Sequence, residues 1–347
     1  MLTGLERLLK TIKLQEPDVV PHFEDIIDKK VRDAILPGSS FENFIEFMDM
    51  DGVCFYDRES AWKYEALDRG KGIYRDQWGG IVRFTQEVDC HPITPAIKSE
   101  SDLDGYVPPD PDLDWRYERL KQLVKRFKGK RAIIIEVSDS LRVAGDFLLG
   151  DVAYFKAMIT NPGLVDRVNE IVDNYQLKYI ENCLDVGADI VFSCGDWAMT
   201  KGPMVSPKFI KRFVAPSFQK IAKYAHDRGV PCLKHTDGNI WSIFDTIIDS
   251  GADGIHPIDP VAGMDIGEAK NRFGSKICLM GNVNGATTLV TGTTEEVREE
   301  TKEVIRKAGK GGGLICMSSS SIHSGVKPEN YVAMVKAIRD YGKYPLP

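Results

Sequence analysis

Residues 230–239, VPCLKHTDGN, begin apolar and end in Lys234, His235, Asp237 and Asn239. On an extended chain, residues two apart point to the same side. His235 and Asp237 therefore form an imidazole–carboxylate pair, the kind of pair that ligates a metal or moves a proton. Other apolar runs end in a similar way. Glu136, Ser138 and Asp139 follow RAIII, and Cys194, Asp196 and Trp197 close ADIVFSCGDW. His256 and Asp259 stand in ADGIHPID, and Asn282 and Asn284 in KICLMGNVN. The serine run 318–321, with His323 beyond it, follows GGLICM. Glu136 is costly to bury without a partner, which leaves metal, substrate and salt bridge all open for it. Plainer roles exist for several of the others. His256 and Asp259 can cap and turn the chain, and Asn282 and Asn284 can bond neighbouring strand ends. Cys194 and Cys316 read as packing residues. Trp78 and Trp197 either line an aromatic pocket or pack. His226, in AHDRG, sits where a helix C-terminus favours a cation.

These polar endings need elements to position them. From residue 130 onward, short apolar runs alternate with amphipathic helical segments. The runs span 131–140, 188–197, 230–239, 252–259, 276–284 and 312–321, and the helices 162–186, 206–228, 293–308 and 328–342. NP, SP, TTEE and KPEN open those helices with cap and first-turn residues. Strands lacking polar alternation are buried on both faces, and helical crossovers make them parallel. Six such units, with DGVCFYD (51–57) and one further strand among residues 72–95, predict a single-domain (β/α)8 TIM barrel over residues 1–347. The C-terminal strand ends would then gather the polar residues at one mouth. A doubly wound open sheet is the rival, but no G-x-G-x-x-G loop is present. Residues 73–84 read as a hairpin turning at Gly79-Gly80. Together with DCHPITPAI it would form a flap over one end. An amphipathic helix opens the chain in MLTGLERLLKTIKLQEPD.

A chain of 347 residues with 28% charged residues and a net charge of -6 offers no basic surface for nucleic acid or an anionic membrane. A small molecule or a protein is the expected partner. The seven cysteines are scattered without a CxxC pair, as expected of reduced thiols. No apolar run reaches the ~18 residues of a membrane span, and the N-terminus lacks a signal-peptide core. The expected location is cytoplasmic.

On KHTDGN (234–239), GADGIHPID (251–259), GNVN (281–284), GGGLICMSSSSIHSGVKPENY (311–331) and PDVVPHFE (17–24), the chain resembles the uroporphyrinogen-decarboxylase-like superfamily. Within it, the resemblance is to the corrinoid-dependent methyltransferases. The decarboxylases of that superfamily hold propionate arms with an R-Q-A-G-R-Y loop, where this chain has HFEDIIDKKVRDAIL. The thiol-activating methyltransferases bind zinc through His-x-Cys and a later Cys. Here His235 matches the histidine, Asp237 takes the first cysteine's place, and Ser319 or Ser320 lies near the second. Hard oxygen ligands suit zinc that polarises an oxygen. The resemblance thus implies an O-demethylase methyltransferase, passing methyl from a methoxylated aromatic to the Co(I) corrinoid of a partner protein. It implies zinc held by His235, Asp237, Glu136 and Ser320, with Asp196 as an alternative carboxylate. His323 or His256 would protonate the leaving oxygen, and Glu136, Trp197, His256, Asn282, Asn284 and Ser319 would line the substrate. No Asp-x-His-x-x-Gly corrinoid anchor occurs, which places the corrinoid on the partner. The alternatives are a tetrapyrrole decarboxylase and a non-catalytic barrel that binds corrinoid or porphyrin. A homodimer fits the pattern, and the sequence leaves the oligomeric state open.

Overall fold

A computed structural model describes residues 1–56, 63–85 and 90–347. Seven parallel strands form one curled sheet: β1 (Gly52–Tyr56), β6 (Ala132–Ser138), β7 (Ile190–Cys194), β10 (Cys232–His235), β11 (Gly254–His256), β12 (Cys278–Val283) and β13 (Leu314–Ser318), adjacent in that order. Each corresponds to one of the apolar runs read from the sequence. Nearly every residue in them is buried, as expected of strands covered on both faces. Asp57, the last residue of the 51–57 run, lies outside the described residues.

Helices connect the strands much as the cap residues predict, at Pro162–Val186, Thr294–Ala308 and Pro328–Tyr341. The expected helix 206–228 is instead three pieces, with a wider π-type turn at Ile210–Val214 before Ala215–Asp227. Pro216 explains the break: it has no N–H to give the carbonyl of Arg212, and the preceding turn widens to accommodate the ring. The N-terminal helix Gly4–Ile12 is capped by Thr3 and Glu6 and buries Leu8 and Ile12. It runs past the start of β6, where Leu5 N–H reaches the carbonyl of Lys130. Arg7 pins it there by ion pairs to Asp18 and Asp51.

The strand expected within residues 72–95 does not join the parallel sheet. Those residues belong to a separate antiparallel sheet of β2 (Glu65–Asp68), β3 (Ile73–Arg75), β4 (Ile81–Arg83) and β5 (His91–Thr94), while β8 (Ala198–Met199) and β9 (Gly202–Pro203) pair with each other after β7. The predicted hairpin is present, with β3 against β4 and Gly79 in the turn at φ +91°. Asp76 holds the turn by accepting from the backbone of Trp78 and Gly80. Residues 86–89, which include the first residue of DCHPITPAI, lie outside the described residues. Just beyond β5, Ala96 and Ile97 donate to the carbonyls of Phe147 and Leu148 in the turn Leu141–Leu149 that follows β6. This anchors the small sheet on the side where the parallel strands end.

Between β13 and β1 lies an extended, buried segment, residues 20–24. Cys316 N–H donates to the Pro21 carbonyl at 3.0 Å, and Asp51 N–H to the His22 carbonyl at 2.7 Å. Ser318 donates its N–H to Glu24 Oε1 at 3.0 Å, and its hydroxyl lies 2.6 Å from Oε2. Pro21 has no N–H for a ladder, so the segment bonds β13 and the residue leading into β1 without a regular pattern. All seven cysteines are buried. No described helix is long and apolar enough to cross a membrane.

Candidate active site

Register across the sheet sets Ser138, Cys194, His235 and His256 in one row on four adjacent strands. All four stand at or beside the C-terminal ends of their strands. Beyond the row the chain turns, and Asp196 and Asp237 follow. Gly238 makes the turn after Asp237 at φ +92°, where a Cβ would meet Met199 O at 2.7 Å. The same crowding applies at Gly195, whose Cβ would lie 2.5 Å from Asp139 Oδ1. Above the row is a cavity of about 140 Å³, lined by Asp25, Glu136, Arg142, Asp196, His235 and Asp237 together with Cys194 and the serines 138, 320 and 321.

Hydrogen bonding fixes the state of the two histidines. His256 Nε2 lies 3.0 Å from the Ser318 carbonyl, which can only accept, so that nitrogen carries the proton. Burial holds the His256 imidazole well below its usual pKa and keeps it neutral, with the neighbouring His235 acting in the same direction. Its Nδ1 is then a bare acceptor, and His235 Nδ1, 2.7 Å away, must donate to it. In neutral His235 this leaves the Nε2 lone pair facing Asp196 Oδ1 at 3.5 Å and Asp237 Oδ1 at 3.8 Å. Asp196 also accepts from the Asp237 N–H at 2.8 Å, which ties the two acidic residues together. Asp237 Oδ1 is buried and accepts no hydrogen bond. Burial pushes the Asp237 carboxyl up to about 6, against the pull of His235 and with further upward pressure from Asp196 and Asp259.

An imidazole lone pair and two carboxylates whose ligand atoms lie within 4.8 Å of one another are a donor set for a divalent cation. The orphaned Asp237 Oδ1 and the tautomer of His235 fit that purpose. Asp25, Glu136 and Cys194 form a second group of the same compactness in the same cavity. Of the four expected zinc ligands, His235 and Asp237 are thus joined by Asp196, while Glu136 groups with Asp25 and Cys194. Ser320 lines the cavity, and its carbonyl accepts from the Ser318 hydroxyl.

The other expected site residues are placed elsewhere. His323 Nε2 lies 3.2 Å from the Gly285 carbonyl, and its Nδ1 accepts from Gly325 N–H, so its two nitrogens tie the loop after β12 to the loop after β13. Asn282 donates to the Ile258 carbonyl at 2.9 Å. Asn284 accepts from the backbone of Ala286 and Thr287, and Ser319 Oγ from Gly285 N–H. Trp197 is fully buried and donates to Asp139 Oδ2 at 2.7 Å. Trp78 is likewise buried and packs edge-on against Tyr175. His226 is held by Asp253 at 2.8 Å rather than by a helix end alone. Beneath the site, fully buried Lys234 bonds Asp139 Oδ2 at 3.0 Å and the carbonyls of Gly195 and His235, each at 2.7 Å. Its ammonium also lies 4.8 Å from the centre of the Trp197 ring. Sequence reading missed Asp25, Arg142 and the role of Lys234. Asp25 directly follows PHFE, and the one available signal was that this stretch is apolar and ends in acid, as the strand runs do.

The family model for uroporphyrinogen decarboxylase (URO-D) matches residues 77–341. The chain belongs to the uroporphyrinogen decarboxylase family. It is 24% identical over 279 residues to a uroporphyrinogen decarboxylase of Pseudomonas fluorescens, covering 78% of this chain and 74% of that protein. A uroporphyrinogen decarboxylase of Nitrosococcus oceani is 24% identical over 278 residues, 78% and 73% of the two chains. Among solved structures, a methyltransferase from Methanosarcina mazei superposes with a TM-score of 0.77 at 18% identity, covering 98% of this chain and 99% of that one. A B12-independent methionine synthase from Shewanella sp. W3-18-1 follows with a TM-score of 0.53 at 10% identity, over 94% and 93%. These two likenesses are likenesses of fold.

Proposed function

We propose that this member of the family is a methyltransferase, which takes a methyl group from a methoxylated aromatic and gives it to the Co(I) corrinoid of a partner protein. The observation that carries the reading is His235 Nε2 lying 3.5 Å from Asp196 Oδ1 and 3.8 Å from Asp237 Oδ1 at the strand ends. The full-length likeness to a methyltransferase supports it. We also read the curled sheet as a (β/α)8 barrel whose eighth stave is residues 20–24, because that segment bonds β13 and Asp51, the residue that leads into β1.

His235, Asp196 and Asp237 would hold zinc, which when bound supplies a Lewis acid for the ether oxygen. The chain's own residues do the rest. His256 and the Ser318 carbonyl orient His235, and Asp196 fixes the Asp237 backbone. The oxygen–methyl bond breaks, its electron pair stays on the phenolate, and the cobalt electron pair of the partner forms the new bond to carbon. A proton then neutralises the phenolate.

Decarboxylation is the second reading, supported by the names of the curated relatives. A tetrapyrrole with eight acidic arms calls for several available cations. Arg142, the one arginine or lysine among the described residues lining the site, is already 3.0 Å from Asp146. The experiment is metal analysis of the wild type and His235→Ala, followed by methyl transfer to reduced corrinoid protein. We expect near-stoichiometric zinc in the wild type, and loss of zinc and of at least about 99% of transfer in the variant, some 2.7 kcal/mol in the barrier. Full zinc and full transfer in His235→Ala would sink the reading.

A further inference from the structure

A second cavity, of about 450 Å³, opens beside the end of β1. It adjoins the first, because Ile26 lines both. The strand register agrees: Tyr56 stands opposite Glu136, and Tyr56 lines the larger cavity while Glu136 lines the smaller. Its volume is in the range of small-molecule sites, and Phe41, Phe55 and Tyr56 contribute aromatic walls.

The cations lining it are not equivalent. Arg119 is bonded to Glu42, and Lys29 to Asp33. Arg32 has no carboxylate within ion-pair distance among the described residues. Asp28, nearby in the same wall, turns Oδ1 to the Lys30 N–H at 2.7 Å. Arg32 is nonetheless held in place: its Nε donates to the Ile27 carbonyl at 3.1 Å, and its guanidinium carbon lies 5.0 Å from the centre of the Phe41 ring. An oriented, half-buried guanidinium whose terminal nitrogens have no partner among the described residues is suited to a planar oxyanion.

We propose that this cavity seats the ring of the methyl donor, and that Arg32 holds a carboxylate on that ring. The substrate class is then a methoxylated monocyclic aromatic acid, its ether directed past Ile26 toward His235. The proposal rests on the methyltransferase reading for the word donor, but the binding site stands on the cavity and Arg32 alone. One available guanidinium serves one carboxylate.

Calorimetric titration of the purified protein with 3-methoxybenzoate and with methoxybenzene tests it, since the two share ring and ether and differ in charge. We expect the acid to bind at least about tenfold more tightly than the neutral ether. Arg32→Met should weaken the acid by about tenfold or more and leave methoxybenzene unchanged, with Arg32→Lys between. Equal binding of the acid by wild type and Arg32→Met overturns the subsite, as does equal affinity of the wild type for both ligands. The second comparison needs no variant and decides the matter even if Arg32→Met fails to fold. Arg32-dependent binding of the acid without methyl transfer to Co(I) corrinoid would sink the proposed reaction and leave the subsite standing. Transfer from methoxybenzene without preference for the acid would do the reverse.

Discussion

His256 shows how a residue with an ordinary sequence signature acquires a definite role. Its place in HPIDP made capping a reasonable expectation, and nothing in the spacing said that its ring would meet that of His235, with centroids 5.0 Å apart. The relation is set by strand register, which lies between chain segments and not along one. Partners that orient a ligand imidazole contribute to metal affinity. His256→Phe keeps the ring volume and removes the acceptor for His235 Nδ1–H. On the proposed zinc reading, affinity for the metal, measured by competition with a chromogenic chelator, should fall by roughly 10- to 100-fold. Unchanged affinity would show that His235 keeps its orientation without help. His235 and Asp237 were legible because their i, i+2 spacing is local. Asp196 was legible only as one polar strand end among several, since its distance to His235 depends on how β7 and β10 pair.

At the scale of elements, Lys234 joins the ends of three strands. It lies one residue from His235, hence on the opposite face of β10, and reaches Asp139 beyond β6 and Gly195 beyond β7. Removing one partner of a buried ion pair leaves the other charge uncompensated and typically costs about 3–5 kcal/mol. Lys234→Met should fall at the lower end, because Trp197 and the Arg142 N–H still donate to Asp139. Urea unfolding measures this, and adding Asp139→Asn should recover part of the loss. A cost under about 0.5 kcal/mol would mean that water or rearrangement replaces the ammonium. The sequence made most strands and helices visible, since burial on both faces leaves an unbroken apolar run and caps leave Ser, Thr or Asn before Pro or Glu. It was less clear at Pro216, where a proline inside an amphipathic pattern became a widened turn.

The whole molecule depends on residues 20–24, the segment that the pattern did not assign as a strand because Pro21 breaks the run and Glu24 ends it. Burial pushes the Glu24 carboxyl up to about 8, although its bonds to Ser318 pull the other way. The folded chain therefore keeps a proton that the unfolded chain releases above about 4.5. This contribution to stability is full below that pH and is lost as pH rises through about 8. Glu24→Gln should flatten the decline in unfolding free energy between pH 5 and 8, read by urea titration at each pH. A decline as steep as that of the wild type would assign it to other groups. His22, pushed down to about 3 by burial, acts on the acid side, where stability is lost as pH falls from about 6.5 toward 3. The position of this segment also bears on synthesis. Glu24 and Ser318 are 294 residues apart, and a ribosome adding 5–20 residues each second needs roughly 15–60 s to cover that distance. The earlier segment thus waits for the later one before both its neighbours exist. During that interval His22, Phe23 and Glu24 have no finished groove to occupy, and a nascent-chain chaperone would meet them there.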